Sequence, residues 1–175
     1  LFAFGCGGDT TDTSGSASLR FIHAASDAVP FDVELQDAQI ATNLAYGSSY
    51  PSSGNPAATV PAGLNTLDVF DTGSSTPLFD LDPTFVNGHI YTYLVTGLVS
   101  GGSADNLQSI VVDDAKVDLN VSAANLRFVN ASPLMNSVDI YVTASDASIT
   151  DASPTVSGLA RYNVSSLLKL SAGAY

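Results

Sequence analysis

The feature that most constrains this chain is that it opens the same structural unit twice. Ala17-Ser18-Leu19-Arg20-Phe21-Ile22-His23-Ala24 returns as Ala124-Asn125-Leu126-Arg127-Phe128-Val129-Asn130-Ala131. In the same register, Phe31-Asp32-Val33-Glu34-Leu35 returns as Val138-Asp139-Ile140-Tyr141-Val142. A repeat about a hundred residues long is the size of a whole domain, so the chain is expected to carry tandem copies of one fold. The expected division is a lead segment over 1–16, a complete repeat over 17–119 and a second, incomplete repeat over 120–175.

Within the first repeat the apolar residues alternate rather than follow a helical stripe. Phe31-Asp32-Val33-Glu34-Leu35 and Asn65-Thr66-Leu67-Asp68-Val69-Phe70 put every second side chain on one face, as half-buried strands do. Strands are expected over 18–24, 31–35, 58–60, 65–70, 77–81, 89–96, 107–112 and 115–119. Turn chemistry separates them: Ser26-Asp27-Ala28-Val29-Pro30, Pro61-Ala62-Gly63, Asp71-Thr72-Gly73, Asn87-Gly88 and Asp113-Asp114, with a longer loop over 47–56. No window carries a capped 3.6-residue stripe, so almost no helix is expected. Short strands at this spacing predict an all-β chain, an antiparallel immunoglobulin-like β-sandwich in tandem copies with the second incomplete. A closed barrel has the same strand count and is the alternative.

Charge narrows the partners. Seventeen acidic residues face five basic ones, a formal net charge of −12, and Arg20, Lys116, Arg127, Arg161 and Lys169 form no patch. Nucleic-acid affinity rests on cations neutralising phosphates, so a nucleic-acid partner is excluded, and an anionic bilayer surface fits no better. No segment approaches the ~18 consecutive apolar residues that span a bilayer. Cys6 is the single cysteine, so no intrachain disulfide forms. It follows the apolar Leu1-Phe2-Ala3-Phe4-Gly5 and precedes a Gly/Ser/Thr/Asp run over 7–16. That order reads as a signal-peptide remnant, a lipidated Cys6 and a flexible tether. A start without Met and a repeat that stops at Tyr175 read as a piece of a longer product.

Leu19-Arg20-Phe21-Ile22-His23-Ala24 with Ser26-Asp27-Ala28 and Phe31-Asp32-Val33 resembles the opening of the bacterial domain of unknown function numbered 4397. Val60-Pro61-Ala62-Gly63, Tyr91-Thr92-Tyr93-Leu94-Val95-Thr96-Gly97 and Ile110-Val111-Val112-Asp113-Asp114 follow in the family's order. The second opening continues through Ser132-Pro133 and reaches Ser171-Ala172-Gly173, so the resemblance spans nearly all of 17–175. Asn130 stands where the first copy has His23, and Ala25 replaces the turn's usual Pro. The resemblance implies secreted or surface-anchored proteins, often tandem and often lipoproteins. It supplies no catalytic residues.

The residues with chemistry to offer have structural roles close at hand. His23 and His89 are the two histidines, and His23 loses its imidazole to Asn130 in the second copy, which argues against a duplicated site. Asp32 and Asp139 recur in register and are expected to satisfy backbone N–H groups. The acidic pairs Asp80/Asp82 and Asp113/Asp114 fall short of the six to eight oxygens that calcium takes. There is no Gly-x-Ser-x-Gly elbow, and no phosphate-cradling loop. Tyr46, Tyr50, Tyr91 and Tyr93 suit a sugar face or a core. The expectation is a non-catalytic structural or adhesive module without metal or cofactor, displayed from Cys6 in the bacterial cell envelope, as an outer-membrane lipoprotein or outside the cell. Its alternatives are a glycan- or calcium-binding module with an extracellular protein or glycan partner, and a filament subunit completed by donation of the 1–5 segment.

Overall fold

The computed structural model describes residues 12–52, 57–102, 105–114, 123–171 and 173–175. Fifteen strands and a single 3-10 turn, Ile149–Asp151, make up the regular structure of these residues. The chain is all-β, with antiparallel sheets, and no helix among the described residues is long and apolar enough to cross a membrane. They fall into two compact units, one built mainly from Val29–Tyr93 with the chain up to His23, the other mainly from Leu94–Val112 and the residues after 122.

In the first unit β1 (Ser16–His23) alternates exposed and buried positions along its whole length. Ala17, Leu19, Phe21 and His23 point inward. β2 (Phe31–Leu35), β3 (Ala38–Leu44), β4 (Ser49–Tyr50), β5 (Ala58–Pro61), β6 (Gly63–Leu64), β7 (Leu67–Asp71), β8 (Pro77–Leu81) and β9 (Thr84–Phe85) follow. β10 (Ile90–Thr96) and β11 (Gln108–Asp114) follow along the chain, each divided between the two units. One sheet has the order β3-β2-β7-β8; a second has the order β11-β10-β1-β4, with β5 also on β1; β6 pairs with β9.

The alternation dictates what is buried. Phe31, Val33, Leu67, Val69 and Phe85 are fully enclosed with Leu19 and Phe21. Each such side chain contributes about 1.5–3 kcal/mol relative to exposure. The ring of His23 on β1 stacks on Phe31 of β2 at 3.9 Å between centroids, so these two strands of different sheets share one core.

The second unit contains two further strand pairs. β12 (Ala123–Leu126) pairs with β15 (Leu168–Ser171), and β13 (Ser137–Ile140) with β14 (Val156–Ala160). Among the described residues after 122, Leu159 is the buried hydrophobic, while Leu134, Met135, Tyr141 and Ile149 lie exposed. Leu94, Val95, Ile110 and Val112 are also buried in this unit, and polar contacts add to them. Thr96 Oγ1 donates to the Ala131 carbonyl at 2.6 Å, and the Arg161 guanidinium reaches Asp105, the Pro133 carbonyl and Asn136.

Most strands lie where alternation predicts them, and β2 and β8 agree to the residue. Three readings are corrected. β3 lies in a stretch that carries no turn dipeptide ahead of it. The β2–β3 turn is made by Gln36 and Asp37 with φ of +51° and +60°, a left-handed pair more usual for Asn and Gly. β4 occupies part of the expected 47–56 loop. Asp113-Asp114 does not break a strand, because β11 runs through both and Asp113 pairs with His89. The strand expected over 115–119 falls wholly in residues 115–122, which lie outside the described residues.

Candidate functional site

Asp32 sits in β2 opposite a break in register with β3. Phe31 pairs with Leu44 and Val33 with Ala41, so two β3 residues oppose Asp32. Asn43, at φ +52°, turns its amide toward the carboxylate, and Asp32 Oδ1 accepts it at 2.7 Å. The same carboxylate accepts the Thr72 hydroxyl at 3.0 Å and, through Oδ2, the Gly73 amide at 3.3 Å. These donors, the Asn43 amide first, hold its carboxyl below the ordinary carboxylate range.

Asp139 does the same in β13. Val138 pairs with Leu159 and Ile140 with Val156, leaving Ser157 and Gly158 across from it. Asp139 Oδ1 accepts the Gly158 amide at 2.6 Å and the Ser157 hydroxyl at 3.3 Å, and Gly158 has φ +61°. The aspartates that recur in the sequence therefore each clamp a β-bulge.

The other expected candidates are similarly engaged. His23 is fully buried, with Nε2 3.1 Å from the Val29 carbonyl, and burial lowers its pKa. Asn130, its counterpart, is also buried and donates to the Leu159 and Met135 carbonyls while accepting the Ser132 amide. Asp27 reaches away from its own turn to accept the Val99 and Ser100 amides and the Ser100 hydroxyl. His89 Nδ1 lies 2.8 Å from Asp113 Oδ1 at the β10–β11 end.

Tyr91 and Tyr93 are core residues against Phe85, and burial pushes the Tyr93 phenol up to about 12. They form no sugar face. Tyr46 is exposed, edge-on to His23, and Tyr50 is half-buried. Cys6 and the 1–5 segment lie outside the described residues. Among the described residues no three His, Cys, Asp or Glu side chains are grouped to hold a metal ion.

One cavity adjoins the Asp32 clamp. It lies on the outer face of the β3-β2-β7-β8 sheet, encloses about 390 Å³ and is lined by Asp32, Glu34, Gln39, Phe70, Ser74 and Ser75. Phe70 alternates with the enclosed Leu67 and Val69, so its ring belongs to the outer face beside Asp68. Asp68 faces Glu34 on one side and Asp80 on the other, and burial together with these carboxylates raises its pKa. The sequence signal for this site was an aromatic at the outward phase of an alternating strand.

Antiparallel sheets with no helix beyond one 3-10 turn among the described residues define an all-β protein. Within that class, the chain belongs to the family described as a domain of unknown function (DUF4397), whose model matches residues 17–141. That span runs from the first strand through the repeated opening to β13. No curated protein matches the chain.

Proposed function

We propose that this chain is a non-catalytic module displayed outside the bacterial cytoplasm, two immunoglobulin-like β-sandwich copies carried on a lipid tether at Cys6. The observation that carries this reading is the shared duty of Asp32 and Asp139: the carboxylates preserved between the repeats bind main-chain amides at bulges. A repeated catalytic residue would instead be free to face a substrate. The second copy takes support from the same pair, because β13 and β14 reproduce the broken register of β2 and β3. The apolar run, the single cysteine and the Gly/Ser/Thr/Asp segment after it support the tether.

The test is made on the full-length product in its native host. Mass spectrometry is expected to find acyl groups on Cys6, and Cys6→Ser is expected to move the protein from the membrane fraction to a soluble one. A free Cys6 thiol, with the protein in the cytoplasmic fraction, overturns both the anchor and the location.

A further inference from the structure

We propose that the cavity on the outer face of the β3-β2-β7-β8 sheet is a binding site for a neutral sugar residue of a glycan chain. The inference goes beyond the display reading and does not depend on the anchor. Two of the polar groups lining the cavity are already engaged. Asp32 is held by Asn43, Thr72 and Gly73, and Ser74 Oγ is bonded to Thr76. Asp32 is thus a positioning residue that fixes the 71–76 hairpin as one wall.

Glu34, Gln39 and Ser75 have side chains that make no hydrogen bond with another described residue. They flank Phe70, and Glu34 stands directly opposite Gln39 across the β2–β3 pair. Two register breaks shape the site: one at Asp32, the other between Val69 and Phe70, where Phe70 faces Pro77. Bulges at such positions re-aim side chains and gather beside binding sites.

The chemistry of the uncommitted groups selects the ligand. A carboxylate only accepts, an amide both donates and accepts, and a hydroxyl does both. A cation, which only donates, satisfies Glu34 but leaves the Gln39 amide N–H without an acceptor. An anion is repelled by Glu34 and by the facing Asp68, which itself feels Asp80, Asp37 and Asp82. A sugar hydroxyl meets both needs, and the C–H face of a pyranose suits the electron-rich face of the Phe70 ring. The volume fits the lower part of the range of small-molecule sites.

The experiment titrates the uniformly 15N-labelled chain with neutral hexasaccharides of glucose, mannose and N-acetylglucosamine, with a galacturonate hexamer and hexalysine as controls. At least one neutral sugar is expected to shift the amides of Glu34, Gln39, Phe70 and Ser75 with Kd of about 0.1–1 mM. Gln39→Ala and Ser75→Ala, both at exposed positions, are each expected to weaken binding about threefold to tenfold. Phe70→Ala is expected to weaken it more than about tenfold, while Phe70→Tyr keeps the ring and the affinity within about threefold. The proposal is overturned if no neutral sugar moves these amides at about 10 mM. It is equally overturned if hexalysine alone moves them, or if the shifts survive both Gln39→Ala and Phe70→Ala.

Discussion

Asp139 Oδ1 takes the Gly158 amide at 2.6 Å across the bulge that β14 makes against β13. In the first unit Asp32 takes the Asn43 amide at 2.7 Å across the bulge of β3. Gly158 and Asn43 both have positive φ, the condition that turns the amide toward the carboxylate. One residue has no Cβ and the other is the side chain that best tolerates the left-handed region. Nothing lies within 4 Å of a Cβ built on Gly158, so only the backbone resists substitution there. Gly158→Asn is therefore expected to change stability by less than about 0.5 kcal/mol, and Gly158→Val to cost about 1–2 kcal/mol. Urea midpoints of the full chain read both.

The Asp32 clamp has a pH signature. A carboxyl whose folded pKa lies below its unfolded value contributes stability above the unfolded pKa and loses it as pH falls through the folded one. Asp32→Ala removes three acceptor contacts at a half-buried position and is expected to cost about 1–2 kcal/mol at pH 7. Wild type and variant are expected to converge as pH falls from the unfolded carboxylate value near ~3.9 through the lower folded one, in urea melts run at stepped pH. A gap that persists at low pH would mean that the carboxylate charge is not what the bulge uses.

How much of this was written in the sequence depends on local period. Phe31-Asp32-Val33-Glu34-Leu35 announces its strand because each buried side chain is followed by a polar one. β3 does not, because Gln36 and Asp37 adopt left-handed angles without Gly, and the Asn43 bulge then breaks the alternation. The roles of Asp32 and Asp139 were legible from their recurrence. That of Asp27 was not, since its partners Val99 and Ser100 lie far along the chain. The Phe70 cavity depends on two register shifts, and pairing register between distant strands is not a local property of either.

His23 makes the fold sensitive to mild acid. It is buried, stacked on Phe31 and close to the Val29 carbonyl, and burial lowers its pKa. The unfolded chain, with an ordinary pKa near ~6.5, takes up the proton first, so stability falls as pH drops through about 6.5. Melts at pH 7.5 and 5.5 are expected to separate in wild type and to close in His23→Asn, whose amide suits the analogous place of Asn130. His23→Asn is also expected to cost about 1–3 kcal/mol at pH 7.5 through the lost ring contacts.

Gly97 follows β10 at φ +95°, and a Cβ there would overlap the Asn106 carbonyl oxygen. Backbone on both sides of the contact cannot yield without breaking the Leu98–Asn106 bridge. Gly97→Ala is expected to cost about 2–4 kcal/mol, read as a lower midpoint or as loss of soluble protein on expression. Gly73→Ala, at φ +83° with open space around its Cβ, is the control and is expected to cost about 1 kcal/mol.

Asp68 is the position where substitution strengthens the sheet. It faces Glu34 on β2 and Asp80 on β8, a row of like charges across three strands. Like charges directly opposite destabilise a sheet, and here burial and the neighbouring carboxylates raise the Asp68 pKa. An acid whose pKa is raised on folding penalises the native state above that pKa and is relieved as pH falls. Asp68→Asn keeps the shape and removes the charge, so it is expected to stabilise the chain by about 0.3–1 kcal/mol at pH 7. The gain is expected to shrink in ~1 M salt, where screening acts within a few ångströms. It is expected to shrink again as pH falls through the raised native pKa toward the ordinary carboxylate range, because the native carboxyl takes up its proton before the unfolded one. An Asp68→Asn midpoint below that of wild type at pH 7 and low salt would show that the carboxylate makes a stabilising contact instead.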